Sequence, residues 1–360
     1  MKSNRLLLRT LLPATTLGIL SVSAQPLAPD LLIPAVLESR NHLDASFRMA
    51  FNVSTRFKNV GAFTPGNSRL TPDGDRFNYD DGYVLTDSTG NLMGYTRYWG
   101  YDHDSGAFSQ LPGDGTILMH RNSSTGASAS GKTDEPQLGL ELVYSRELGR
   151  NEKVRWGFET ALNYMNVSAR DSRTLSAGVT RATDAYALPG LEGGGFVSPP
   201  PAPYYHGGEL SPEGNPVIGA TPVSSSTDTI MADVTGSRRF EAHVFGWRLG
   251  PYIEMPLGQN GRLTLSGGLA LAYVNSDFNF RDSVALPGVP SLTGGGNHDG
   301  LQVGGYVSGG VSYKLGRSYE VFGNVQFQHV GTYSHRENSR AAVLDLSKTV
   351  AVNVGISYSF

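Results

Sequence analysis

The last eleven residues, Val350-Ala-Val-Asn-Val-Gly-Ile-Ser-Tyr-Ser-Phe360, decide how this chain is read. Val350, Val352, Val354, Ile356, Tyr358 and Phe360 fall on one face of an extended strand, while Ala351, Asn353, Gly355, Ser357 and Ser359 fall on the other. Alternation sustained over that length is the period of a β-strand with two unlike faces. The same rhythm opens the folded region, where Phe47, Met49, Phe51, Val53 and Phe57 alternate with Ser46, Arg48, Asn52, Ser54, Arg56 and Lys58.

Working inward, three hairpins show the pattern. Leu138, Leu140, Leu142 and Tyr144 lead through a tight turn at 149–153 into Val154, Trp156, Phe158, Leu162 and Tyr164. Phe245, Trp247, Leu249, Ile253 and Met255 lead through 257–261 into Leu263, Leu265, Leu269, Leu271 and Tyr273. Leu301, Val303, Val307, Val311 and Tyr313 lead through 316–318 into Tyr319, Val321, Val325 and Phe327. Short turns at one end and long polar loops at the other are the asymmetry of bacterial transmembrane β-barrels, with both termini in the periplasm. Apolar faces of about five residues suit strands of about 9–11 residues that cross a bilayer, with small and polar residues turned to the interior. A secreted soluble barrel or sandwich is the competing architecture.

In lipid only a closed sheet satisfies every backbone amide, so the strand number should be even. Eight strands are clear, at 43–57, 137–148, 153–168, 240–256, 262–280, 300–315, 319–333 and 349–360. Segments 92–101 and 116–122 supply two more, giving about ten strands, with eight or twelve as alternatives. The turn signals Asp80-Asp81-Gly82, 87–91 and 112–115 punctuate that region. Segment 171–239 reads as one long Pro/Gly-rich extracellular loop, with seven prolines between Pro199 and Pro222. Within it, Asp184-Ala-Tyr-Ala-Leu-Pro-Gly190 is echoed by Asp282-Ser-Val-Ala-Leu-Pro-Gly288 in a second external loop at 282–299.

Residues 1–24 carry Lys2, Arg5 and Arg9, a charge-free run and Ser21-Val-Ser-Ala24, the three parts of a secretory signal peptide. A transmembrane helix is the alternative, but Pro13 and the threonines interrupt the apolar core well short of the roughly 20 residues a span needs. Residues 25–42 read as a periplasmic linker. Cleavage removes three of the 29 basic residues, leaving 26 against 32 acidic, a net charge of −6. That balance gives no electrostatic footprint for nucleic acid. With no cysteine in 360 residues, disulfide scaffolds and Cys-ligated metal centres are excluded.

With Phe360 terminal, Tyr358 two before it and the alternation running back to Val350, the last strand resembles the C-terminal assembly signal of Gram-negative outer-membrane β-barrel proteins. The resemblance implies that Tyr358 and Phe360 are read by the barrel-assembly machinery. It also implies that the finished barrel sits among outer-membrane lipid and lipopolysaccharide. Loss of Phe360 is then expected to impair assembly.

The same parity places Arg48, Arg56, Arg155, Arg248, Arg262 and Lys314 in the lumen against Glu141, Glu147, Glu159, Glu254 and Glu320. Near-equal opposite charges in a narrow interior pair with one another, because an unpaired buried charge is costly. Tyr252 and Tyr306 are the chief lumen aromatics. Trp156, Tyr313, Tyr319, Tyr358 and Phe360 form one interfacial girdle, and Tyr164, Tyr273, Phe327 and Tyr333 the other. No metal motif, nucleophile elbow or phosphate loop occurs, and no cofactor is expected.

His329, at the outer rim, is faintly similar to the strand-end histidine of outer-membrane lipid A deacylases. There a serine follows closely on the same strand, whereas here position 331 is Gly and Ser334 has the opposite parity. The sequence therefore points to a non-enzymatic barrel with a structural or passive porin-like role and a small or plugged lumen. A lipid-modifying enzyme and a loop-mediated adhesion protein are the alternatives.

Overall fold

The computed structural model describes residues 40–64, 76–85, 94–133, 136–188, 199–205 and 216–360. The expected signal peptide and the expected linker as far as residue 39 lie outside them. Fourteen of the strands build the argument: β1 (Asn41–Phe51), β2 (Ser54–Val60), β3 (Thr116–Ser123), β4 (Ala127–Ser130), β5 (Gln137–Arg150), β6 (Arg155–Asp171) and β7 (Leu175–Ala187); then β8 (Ser224–Leu257), β9 (Gly261–Val284), β10 (Leu292–Lys314), β11 (Tyr319–His329), β12 (Thr332–Glu337), β13 (Arg340–Asp345) and β14 (Thr349–Ser359).

Eight of these form an antiparallel ring in the order β8-β9-β10-β11-β14-β1-β5-β6, and β6 returns to pair with β8 from Arg155↔Glu254 to Asp171↔Arg238. Each ring strand is therefore hydrogen-bonded on both edges. The sequence favours ten strands; the ring has eight, one of the two alternatives. Of the first extra segment, residues 92–93 lie outside the described residues and Tyr95–Thr96 and Trp99–Tyr101 are short strands; the second is strand throughout, and all pair elsewhere. Trp99–Tyr101 joins Gly82–Leu85 and Tyr204–Tyr205, and β3 joins β7 above the ring.

The three short turns and the chain terminus share one end of the ring, here called the lower end. Asn151 closes the β5–β6 turn, its side-chain oxygen accepting from the Lys153 and Val154 amides at 2.9 and 2.7 Å. Asn41 and Phe360 exchange backbone hydrogen bonds there. Upward, the strands differ greatly in length. β8 has 34 residues, β9 24 and β10 23, whereas β1, β11 and β14 have 11 each. β7 continues β6 along the same edge of β8 after a break at 172–174. Segment 171–239 is therefore strand at both ends, and the expected loop at 282–299 shrinks to the turn 285–291.

On the short side the chain leaves the ring at Asn52 (φ 60°) and Gly331 (φ 82°), left-handed conformations that end a strand. Beyond these points the chain re-forms as a second sheet, β12-β13-β2-β4. That sheet packs against the inner face of the tall wall, with Phe57 stacked on Phe278 at 5.8 Å and Val53, Val60, Ala342 and Leu344 in one core with Val234, Phe240, Ala242 and Val274. The molecule is a ring below and a two-layer β-sandwich above.

The tall strands explain the change. In β9, residues 263, 265, 269, 271 and 273 turn apolar side chains outward over polar or small inward neighbours; above 273 the parity continues but the polarity inverts. Val274, Phe278, Phe280 and Val284 are now the inward residues, and Asn275, Asp277, Asn279 and Arg281 the outward ones. β6 inverts after Tyr164 and β8 above Phe245 in the same way. All three inversions meet on one cross-strand row, Leu140–Tyr164–Phe245–Tyr273–Leu301.

Candidate functional site

Below that row the ring's outer face is a continuous apolar band, in which Leu140 and Leu162 are each 61% exposed. The interior is polar and filled. Arg48 on β1 donates to Glu141 at 2.8 Å, and Arg248 on β8 donates to Glu141 at 2.6 Å and to Glu159 at 3.1 Å. Tyr306 donates to Glu159 at 2.9 Å while its ring lies 4.8 Å from the Arg248 guanidinium. Arg48 also reaches Gln326 and Gln328, and Asn353 donates to Glu141. Two arginines and two glutamates from four strands thus form a neutral, buried, charge-assisted cluster across the lumen.

Under the cluster lies a cavity of about 80 Å³, room for a few waters, lined among others by His42, Asp44, Tyr252, Glu254 and Arg262. Arg262 pairs with Glu254 at 3.4 Å and with Glu320. Arg155 stands opposite Glu254 in the β6–β8 register at the lower rim, and Glu147 pairs with Arg150. Of the expected lumen residues, Arg48, Glu141, Glu159 and Arg248 meet in one cluster, whereas Arg155 and Glu254 sit at the entrance.

Arg56 is a correction. It is exposed on the outer face of β2, because the break at Asn52 shifts the inward set from even to odd residues. Tyr333 is a second one: it is buried between β10 and the upper sheet, not set in an interfacial girdle. Its hydroxyl donates to the His298 carbonyl at 2.9 Å.

The upper half has its own polar anchors, which periodicity alone did not single out. Asp282 accepts from Arg238 and Arg340 at 3.1 Å each and from the Gly61 amide at 3.0 Å. It therefore ties the upper sheet to the wall. Arg238 also bonds Asp171 at 2.8 Å. The other echoed aspartate, Asp184, accepts from Tyr79 at 2.6 Å and from Ser225 at 2.5 Å. Burial, then the Asp184 and Tyr186 contacts, raise Tyr79 well above the ordinary phenol range, and burial pushes Tyr186 up to about 12. Both phenols stay neutral. The repeated Asp-x-x-Ala-Leu-Pro-Gly stretch places an acceptor at the top of each outward-running strand, where the chain must be fastened to its neighbours. The Asp80-Asp81 turn does likewise for β3, Asp81 bonding His120 and Asp80 bonding the Asn122 amide.

Two histidines bear on catalysis. His329 donates its Nδ1 proton to the Ser347 carbonyl at 2.6 Å, and among the described residues no hydroxyl is paired with it. His335 Nδ1 shares a 2.8 Å hydrogen bond with Ser276 Oγ, the spacing of a base and a nucleophile. Ser276 is only 2% exposed, however, and also bonds Tyr333 and the His298 carbonyl, so this contact staples β12 to β9. Among the described residues no group of three or more His, Asp or Glu side chains is arranged to hold a metal ion.

At the lower rim the Tyr358 ring lies 5.2 Å from Tyr319 and stacks on Phe360 at 5.9 Å, all three exposed beside Tyr313. Trp156 is exposed on the same face. At the inversion row Tyr164 packs on Phe245 at 5.1 Å and shares a 2.8 Å hydrogen bond with His243. Tyr273, on that row, and Phe327, near the upper end of β11, are also exposed.

No known protein family and no curated protein matches this sequence. Solved structures do match, and they are outer-membrane β-barrel proteins. Neisserial surface protein A is 10% identical over 89% of this chain and 98% of its own, with a TM-score of 0.28. Ail, the attachment invasion locus protein of Yersinia pestis, is 8% identical over 88% and 99%, with a TM-score of 0.27. The outer-membrane protease OmpT of Escherichia coli is 9% identical over 89% and 96%, with a TM-score of 0.34. At these values no residue role passes from them to this chain, and the functional reading rests on its own geometry.

Proposed function

We propose that this chain is an eight-stranded outer-membrane β-barrel, closed to solutes, which serves as an anchor for the β-sandwich it holds above the membrane. The observation that carries this reading is the double obstruction of the lumen. The Arg48–Glu141–Arg248–Glu159 cluster fills it at membrane level, and the apolar core around Phe57 and Phe278 fills it above. Eight strands enclose an interior that side chains suffice to fill, whereas open channels come from wider barrels. The outward apolar band, bounded above by the inversion row and below by Trp156, Tyr313, Tyr319 and Tyr358, supports placement in lipid.

In this reading the role is non-enzymatic; among the described residues His329 bonds the Ser347 carbonyl, and the serine beside His335 is buried. Tyr358 and Phe360, exposed at the lower rim, fit the assembly signal. Deleting Phe360 should sharply reduce the amount of folded protein in outer-membrane fractions, and normal accumulation would remove that role. For the barrel itself, the Gln25–Phe360 chain refolded into a planar bilayer should pass no current, its folded state being checked by faster gel migration before boiling than after. Discrete, reproducible current steps from the folded protein would overturn the closed-lumen reading.

A further inference from the structure

Above the inversion row, the outer wall carries a groove of about 970 Å³ where β6 breaks off before β7. Five arginines line it, Arg170 and Arg173 from the end of β6 and the break, Arg238 and Arg239 from β8 and Arg281 from β9, with Asp171 the one acidic residue among the lining groups. Arg239 is paired with Glu241, and Arg173 with Asp171. Arg170 and Arg281 make no ion pair among the described residues. Arg238 is 2% exposed; its Nε and Nη1 are held by Asp282 and Asp171, but its Nη2 has no hydrogen-bond partner. The exposed guanidinium groups of Arg170 and Arg281 leave unneutralised positive charge along the groove, and a tetrahedral oxyanion supplies several acceptors for them.

We propose that this groove binds the phosphate groups of a phosphorylated saccharide. Height selects that class. Arg170 lies six residues above Tyr164 on β6, about 20 Å along a strand rising ~3.3 Å per residue. A tilt of ~40° turns this into about 15 Å above the inversion row. The headgroup layer of a bilayer extends only ~6 Å beyond the hydrocarbon, so glycerophospholipid phosphates stay below the groove. A phosphorylated saccharide reaches it, either anchored in the membrane as lipopolysaccharide or free in solution. The height argument rests on the membrane placement proposed above, while the groove chemistry does not.

The test uses the folded full-length mature chain in detergent micelles, titrated calorimetrically with myo-inositol hexakisphosphate as the soluble probe. The triple variant Arg170→Gln/Arg239→Gln/Arg281→Gln changes only exposed side chains. It should bind at least tenfold more weakly while keeping folded gel migration, and Arg56→Gln, on the far sheet, should bind as the parent does. In a second arm, both proteins are extracted from native outer membranes and assayed for co-purifying lipopolysaccharide. Less lipopolysaccharide on the triple variant identifies the anchored source; equal amounts with a weakened soluble titration identify the free one. No binding by the parent in either arm, or equal binding by parent and triple variant in both, overturns the proposal. A soluble loss with a conducting barrel would leave the groove standing and remove only the closed lumen.

Discussion

The lower and upper halves of this molecule solve the same packing problem with opposite polarity. Below the Leu140–Tyr164–Phe245–Tyr273–Leu301 row, side chains facing out are apolar and those facing in are polar; above it, the faces exchange roles without any change of parity. On the membrane placement proposed above, the cause is the solvent outside. Lipid around the lower wall removes the hydrophobic reason to bury Leu140 or Leu162, so the interior can hold a salt-bridge cluster. Water around the upper wall makes burial of Phe240, Phe278 and Val274 favourable by about 25 cal/mol per Å² of apolar surface, which draws the second sheet in. A strand can therefore cross between environments without a bend, and the position of the exchange marks the boundary.

The largest expected effect lies in the lower half. Glu141→Ala leaves Arg48 and Arg248 facing each other in the lumen with their shared partner gone. The cost should be about 3–5 kcal/mol in urea unfolding from lipid vesicles, the range for stranding a buried charge. A loss below 1 kcal/mol would mean that water already enters the cluster. Second, the boundary itself is open to test by arginine placed on either side of it. Leu249→Arg, midway between the Phe245 row and the lower girdle at Trp156, should destabilise the vesicle-embedded protein by about 2–4 kcal/mol, and Asn166→Arg, one row above the exchange, by about 0–1. Equal costs would erase the distinction between the halves.

In the upper half, Phe278→Leu removes the stack on Phe57 and leaves a small cavity while keeping an apolar group, so about 1–3 kcal/mol should be lost. The change should appear as easier proteolysis of the β12–β13 segment while the ring keeps its gel migration. The smallest effect is one of pH. Burial, with the neighbouring His298, lowers the His335 pKa below its ordinary value, against the opposing pull of Glu337 and Asp277. A depressed folded pKa means that the unfolded chain takes up the proton first. Stability of the upper sheet is then full above pH about 6.5 and declines as pH falls below it, by at most ~1.4 kcal/mol per pH unit for one proton. Hydrogen exchange of β12 should show that acid dependence, and His335→Gln should remove it.

Much of the ring was legible because lipid-facing alternation is a local property. Leu138 to Tyr144, Leu263 to Tyr273 and Val350 to Phe360 each state their outward face without reference to any other strand, and the three tight turns follow. Pairing of lumen charges was legible as a class, since six cations and five anions in one narrow space must neutralise one another. Which of them meet was not. Arg56 shares Arg48's parity in sequence, and only the left-handed Asn52 between them reverses it. The stretches at 171–187 and 224–239 read as loop because their larger apolar residues, among them Leu175, Val179, Ile230 and Val234, are sparse among serines and threonines. Such strands need the neighbouring sheet to give them an inner face.

The sequence by itself determined an all-β chain with two-faced strands, short turns at one end and a two-faced C-terminal strand, because side-chain alternation and turn chemistry are fixed by the covalent order. The tertiary structure alone decided that eight strands, not ten, make the ring, that the short side folds over into a second sheet, and that Asp282 and Arg238 join them. These depend on which distant backbone edges and buried charges find each other. That is settled by the free energy of the assembled whole and leaves no period in the sequence to read.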